Sequence, residues 1–497
     1  MASVNRGSVA GAFLAVALTA VLVYFGTGLF PRWPLLWFAP LPILLFAQRN
    51  SWWASGLCAF FGWSLGALNN QHYFGSLLHL PRSVQAEIIA GPAVLLAISV
   101  LLFRALVRRG ASWSALLAFP AVYTSCEFLV DLGSPHGTAG SLSYSQLNFL
   151  PFLQLASITG PSGMMFFILL FSSGVAVAIH LWKTAFKRAI LILAASWGSL
   201  ALVLIFGAVR LAISPQGPAV KVGLIASDLR ENQNVATEGP NTQRLLRAYA
   251  DHAEALAAQG AQVILIPEKI GVIVESSKAS ADALLQSVAD KANVVIVAGI
   301  VEVDPPASYN RARVYTPGTP VQTYDKHHML PPFELRFKPG TSLTTLQKPS
   351  GTWGVEICKD MDFTPLSRKY GQSGAGLMLV PAWDFVLDRV QHGHMALMRG
   401  VEDGFSIARA ARQGFLTVSD DRGRILAETR SDSAPFATLL AAVPAVHDRT
   451  IYLLFGDWFA WMSIAVAALT CGQLYRVRGR GTPKEVSPPT AVAHVSR

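Results

Sequence analysis

Hydrophobic positions along this chain fall into two regimes. Before residue 214, apolar runs follow one another with only short polar breaks. About 20 helical residues cross the hydrocarbon core of a bilayer, so such runs read as membrane spans. Segments of this kind lie at 8–30, 35–48, 52–69, 86–106, 112–130, 161–182 and 190–213, with one more at 451–471. The second is short and carries Pro34, Pro40 and Pro42, which predicts a kinked or re-entrant segment. From residue 219 the pattern changes to short apolar strands alternating with amphipathic helices. Strands are predicted at 219–226, 262–267, 294–301, 353–358, 376–381, 415–419 and 436–443, and helices at 240–259, 280–292 and 392–412. This alternation predicts a layered α/β domain. The Gly- and Pro-rich stretch 330–352 reads as a long loop, a feature often tied to function. The expected order is therefore a transmembrane helical domain at 1–213 (about seven spans), an extramembrane α/β domain at 214–450, a C-terminal transmembrane helix at 451–471 and a basic tail at 472–497.

Composition agrees with the membrane reading, since 52% of the 497 residues are hydrophobic and only 14% are charged. A formal charge of +10 would suit nucleic acid, but no basic stripe with interleaved aromatics accompanies it, so no nucleic-acid partner is expected. In an apolar chain, Lys and Arg collect instead in the short cytoplasmic loops. A cytoplasmic N-terminus puts Arg6, Arg49, Arg108, Arg109, Lys183, Lys187 and Arg188 inside and leaves mainly Arg32 and Arg82 outside. With eight spans the tail cations Arg476, Arg478, Arg480 and Lys484 also fall inside. Residues 214–450 then face the periplasmic or extracytoplasmic side.

Candidate chemistry follows from the polar residues that stand at strand ends. Cys58, Cys126 and Cys471 lie in apolar segments, where a cysteine usually serves as a small core residue, whereas Cys358 lies in the polar part. Glu268 follows the run 263–267, Lys326 follows 321–325, and Cys358 follows 353–357. In α/β sheets, catalytic groups gather where strands end in loops. A thiol needs a base or a nearby cation to act as a nucleophile. A glutamate can take its proton, and a lysine can stabilise both thiolate and oxyanion. His327, His328, His392 and His394 leave a Cys–His arrangement equally open. No Cys/His cluster has metal-ligand spacing, so neither metal nor cofactor is expected.

At these residues the chain resembles the nitrilase, or carbon–nitrogen hydrolase, superfamily, in which a Glu–Lys–Cys triad recurs in this order. The segments are Ile266-Pro267-Glu268, Tyr324-Asp325-Lys326 through Glu334, and Gly354-Val355-Glu356-Ile357-Cys358-Lys359-Asp360. Within the superfamily it is most similar to the apolipoprotein N-acyltransferase family, which sets a nitrilase-like domain between its seventh and eighth spans. The stretches 34–41 and Tyr144-Ser145-Gln146 are similar to family segments, and Gln391-His392 through Arg399, Glu402 and Arg409-Ala410-Ala411 resemble the helix after its nucleophile strand. The chain departs from the family at Lys269, Lys359, Pro381-Ala382-Trp383-Asp384 and Ile225-Ala226-Ser227-Asp228.

The resemblance implies an α-β-β-α sandwich and a set of roles. Cys358 would be the nucleophile, Glu268 the general base and Lys326 the oxyanion stabiliser. Glu334 and Asp360 would support them, and Trp383, Phe333 and Tyr144 would meet substrate. It also implies the bacterial cytoplasmic (inner) membrane as location, a phospholipid as acyl donor and a diacylglyceryl-apolipoprotein as acceptor, joined through a Cys358 thioester. A membrane-tethered carbon–nitrogen hydrolase or amidase using water is the alternative.

Overall fold

A computed structural model describes residues 6–213, 215, 217–232 and 239–478; Arg480 and Lys484 of the expected tail lie outside them. The first half is built from helices α1 (Arg6–Gly26), α2 (Trp33–Phe38), α3 (Leu41–Arg49), α4 (Trp52–Gly66), α5 (Arg82–Arg108), α6 (Ser112–Gly133), α7 (Leu150–Leu153), α8 (Ala156–Leu181) and α9 (Phe186–Ala212). Among the described residues, five helices are long and apolar enough to cross a membrane: α5, α6, α8, α9 and the Val9–Gly26 part of α1. The segment expected at 35–48 is two helices, because Pro40 falls between α2 and α3 and proline has no N–H with which to continue the first. Helix α4 lies close against α1 through Gly62 and Gly66. A Cβ on Gly66 would come within 2.4 Å of the Val23 Cβ. Small residues let helices approach where lipid is as apolar as their side chains.

The second half holds strands β1 (Ala219–Ala226), β2 (Val263–Ile266), β3 (Val272–Val274), β4 (Val295–Asp304), β5 (Ala307–Tyr315), β6 (Gln322–Asp325), β7 (Thr345–Lys348), β8 (Gly351–Val355), β9 (Ala375–Trp383), β10 (Ser406–Arg412), β11 (Phe415–Ser419), β12 (Ile425–Arg430) and β13 (Ala437–Pro444). They form two sheets. One runs β13-β1-β2-β4-β5-β6 with β3 beside β4, the other β12-β11-β10-β9-β8-β7. Strands β1 and β13 pair antiparallel, from Ala219 opposite Pro444 to Ala226 opposite Ala437.

Successive strand residues point to opposite faces, and the apolar residues of β1 and β2 serve two cores accordingly. Val222, Leu224, Val263 and Leu265 meet Val355, Leu377, Leu379 and Ile407 between the sheets. Ile225, Ile264 and Ile266 turn outward under α10 (Pro240–Ala258) and α11 (Glu275–Ala292), against Leu245, Tyr249 and Leu285. Helices α12 (Thr364–Gln372) and α13 (Arg389–Asp403) pack on the second sheet, completing the α-β-β-α sandwich. Helix α13 is shared with the membrane half, because Met395, Met398 and Val401 belong to that half's core.

Two expected helices end differently. The helix expected at 392–412 stops at Asp403, and Arg409-Ala410-Ala411 lies on β10 rather than on a helix. Gly404 adopts φ 73°, and a Cβ there would lie 1.8 Å from the Asp448 carbonyl oxygen, so only glycine fits this turn. The segment expected at 451–471 breaks at Gly456 (φ 60°) into α14 (Ile451–Phe455) and α15 (Trp458–Arg478).

Candidate active site

Glu268, Lys326 and Cys358 stand just beyond the ends of β2, β6 and β8. The first two meet directly. Lys326 Nζ donates to Glu268 Oε1 at 2.9 Å and to Glu334 Oε2 at 2.8 Å, and all three side chains are buried. Asn310 on β5 donates its amide to the same two carboxylates, at 2.5 Å to Glu268 and 2.9 Å to Glu334. Lys269 Nζ binds Glu334 and lies 3.6 Å from Glu268 Oε1. Burial alone would depress the Lys326 ammonium, but the Glu268 and Glu334 carboxylates outweigh it and hold its pKa well above the lysine value. Burial likewise works against a charged Glu334, yet Lys326 and Lys269 hold its carboxyl well below the usual range. The network also needs close backbone approach: a Cβ on Gly299 of β4 would fall 2.5 Å from the Glu268 Cα.

Cys358 begins the short turn Cys358–Asp362 with φ 48°, a left-handed backbone that residues with a Cβ seldom adopt. Its Sγ lies 3.5 Å from the Trp383 carbonyl oxygen. Burial, with the charge of Glu268 added, pushes the thiol up to about 11, while His392, Lys326 and Arg409 pull it down. The resting sulfur is therefore protonated near neutrality and needs a base to become a nucleophile.

Asp360 ties this turn to the loop carrying Lys326. Its buried carboxylate accepts the backbone N–H groups of His327 (3.1 Å) and His328 (2.8 Å), the Tyr324 hydroxyl (2.7 Å) and the N–H of Ile357 (3.3 Å). The membrane half reaches the same turn. Thr138 donates its N–H at 3.0 Å and its hydroxyl at 2.9 Å to the Asp362 carbonyl, and His136 Nδ1 lies 3.2 Å from Lys359 Nζ.

The three residues expected to meet substrate have different surroundings. The Trp383 ring has the Arg412 guanidinium 4.3 Å from its centroid and the Lys269 ammonium 5.1 Å away. Phe333 is half exposed and 5.8 Å from the Phe385 ring, with exposed Leu335 and Val386 nearby in sequence. Tyr144 is buried in the seam between the halves, its hydroxyl bound to Thr138 and to Arg399.

One cluster beside the thiol joins residues that the sequence named only separately. Cys358, Asp384 and His392 each bring a potential ligand atom within 4.8 Å of the others. The donor set does not suit a metal. Arg409 already grips both oxygens of Asp384, and each ring nitrogen of His392 faces a carboxylate, Nδ1 to Asp384 at 2.7 Å and Nε2 to Asp362 at 3.5 Å. Burial opposes the charge on Asp384, but Arg409 and His392 bring its carboxyl down to about 2. Asn310 also escaped sequence reading, since one polar residue on an amphipathic strand carries no signal. Lys269 was visible only as a departure from the family pattern.

Comparison with known proteins divides the chain the same way. Residues 11–174 match the profile described as apolipoprotein N-acyltransferase N-terminal domain, and residues 229–443 match carbon-nitrogen hydrolase. The apolipoprotein N-acyltransferase of Geobacter metallireducens is 26% identical over 89% of this chain and 91% of its own length. That of Haemophilus ducreyi is 26% identical over 85% and 91%. A nitrilase-superfamily amidase from Nesterenkonia sp. AN1 superposes with a TM-score of 0.41 at 21% identity, over 51% of this chain and 99% of the amidase.

Proposed function

Because the chain belongs to the apolipoprotein N-acyltransferases, within the nitrilase superfamily, we propose that it N-acylates lipoproteins through a Cys358 thioester. The donor is a membrane phospholipid and the acceptor the N-terminal amine of a diacylglyceryl-cysteine lipoprotein. Glu268 takes the Sγ proton as the sulfur adds to the ester carbonyl. Lys326 faces the oxyanion, and the lysophospholipid leaves with the proton returned from Glu268. The amine then attacks the thioester, Glu268 takes its proton, and collapse forms the amide and restores the thiol.

The observation that carries this reading is the buried Glu268–Lys326–Glu334 network beside a thiol that needs a base. Two lipid substrates also give the membrane half a purpose. Each buried CH₂ of an acyl chain holds its owner in lipid by about 0.8 kcal/mol, so the enzyme must come to the bilayer. The exposed apolar side chains Phe333, Leu335 and Val386 are suited to receive such chains. Residues 1–213 would form the membrane domain and 214–450 the catalytic domain, facing the periplasm by the charge bias of the short loops.

The test is mass spectrometry of the purified full chain given acyl-labelled phospholipid and a diacylglyceryl peptide. Label should appear on Cys358, then on the peptide amine, and Cys358→Ala should abolish both. Free fatty acid without acylated peptide would favour hydrolysis instead.

A further inference from the structure

Helix α13 sets His392 against the nucleophile turn in a position that none of the proposed steps uses. Its two ring nitrogens face different carboxylates, Asp384 from the end of β9 and Asp362 from the turn itself. A neutral imidazole has only one N–H and would turn a lone pair toward one of these anions. A lone pair on Nδ1, 2.7 Å from the Asp384 carboxylate, or on Nε2, 3.5 Å from that of Asp362, is repelled by it, so the arrangement favours a ring protonated on both nitrogens. Such a ring has no lone pair left to take the Cys358 proton, which leaves that task to Glu268.

The groups around the ring are consistent with a fixed cation. Asp388 stands just before α13, four residues ahead of His392, and its carboxylate accepts the Tyr73 hydroxyl and the Phe385 N–H. Arg409 of β10 comes within 3.5 Å of Nδ1 but spends its guanidinium on Asp384. Lys359 binds the other carboxylate oxygen of Asp362, and its ammonium lies 3.2 Å from His136 Nδ1 of the membrane half. Cys358 completes the set. Asp362, Asp384 and Asp388 thus face His392, Arg409 and Lys359, and the sulfur lies within 4.8 Å of a His392 ring nitrogen and an Asp384 oxygen.

We propose that His392 is a positioning residue for the nucleophile: an imidazolium, clamped by Asp362 and Asp384, that stabilises the Cys358 thiolate as Glu268 removes its proton. The inference rests on Cys358 being the nucleophile. It adds a charge supplied by the helix shared with the membrane half, so the docking of the two halves and the reactivity of the thiol are coupled.

The experiment follows alkylation of Cys358 by iodoacetamide against pH, in full-length protein in detergent with the other three cysteines replaced by alanine. In His392→Gln, at retained melting temperature, the rate at pH 8 should fall about three- to tenfold, and the rising limb should move to higher pH. A residue that only packs the helix would do the reverse, because loosening exposes the thiol and speeds alkylation. An unchanged or faster rate overturns the proposal. His392→Lys returns a cation and should recover most of the loss, and a folded lysine variant as slow as the glutamine one also overturns it. Loss of the fold in both variants counts against it, since the ring would then be structural. Cys358→Ala separates the two readings: if acyl transfer survives in it, the proposed function fails whatever His392 does.

Discussion

Gly137 faces the Asp362 carbonyl so closely that a Cβ on it would lie 2.4 Å from that oxygen. Gly137 belongs to the loop after α6, in the membrane half, and also has φ 55°. Asp362 closes the turn that Cys358 opens. Gly137→Val should therefore displace the Cys358–Asp362 turn as well as strain its own loop. We expect acyl transfer to fall at least about tenfold, the scale on which small misplacements of reacting groups register. Cys358 should become easier to alkylate. Valine at the open Gly140 nearby, where a Cβ meets nothing within 4 Å, should leave transfer almost unchanged, and equal loss in both variants would contradict the argument.

Lys326→Met removes the cation shared by Glu268 and Glu334. Breaking a buried ion pair by deleting one partner costs about 3–5 kcal/mol, because the remaining charge is left uncompensated. Lys269 still contacts both carboxylates, so the lower end of that range is expected. Denaturation of the purified variant measures the stability loss. Thioester formation from labelled phospholipid should be undetectable even where the variant stays folded.

How much of this was legible in the sequence depends on how far apart the cooperating residues lie. Glu268, Lys326 and Cys358 could be found singly because each follows the end of an expected strand, and the order of the three carried the family resemblance. The His392 clamp joins Asp362, Asp384 and Arg409 from three other elements, and no spacing along the chain encodes that meeting. Arg409-Ala410-Ala411 misled because alanine and arginine favour helix locally, whereas burial in the middle of the second sheet makes it a strand. Gly404 was the available stop signal. Pro40 was visible, and it splits the second apolar segment as proline chemistry requires.

Acid should weaken the fold through Asp384. Its carboxyl, brought down to about 2, lies below the unfolded value of about 3.9. The contribution is thus complete above the unfolded value and is lost as pH falls through about 2. It amounts to about 2–3 kcal/mol. Melting temperature between pH 5 and pH 2 should drop along this limb, and Asp384→Asn should start lower and fall less steeply. A variant with the same acid slope as the parent would remove Asp384 from the account.

Phe333→Ser combined with Leu335→Ser should act on lipid and spare chemistry. Both side chains are exposed and neither takes part in the buried network. The concentration of long-chain phospholipid needed for half-maximal acylation should rise several-fold. A water-soluble short-chain ester should acylate Cys358 as before. Equal loss with both donors would place these residues in catalysis instead.

The pairing of β1 with β13 has a consequence for how such a protein can arise. The strand that follows α9 and the strand that leads into α14 lie side by side along their whole length. A globular unit whose two ends are neighbours can be set into a loop between consecutive spans without forcing those spans apart. The bundle need not deform to hold the α/β unit, and that unit need not deform to be joined to helices at both ends. Modular assembly from a free-standing hydrolase and a helical bundle is therefore geometrically undemanding, and most of the later refinement would have fallen on the seam between them.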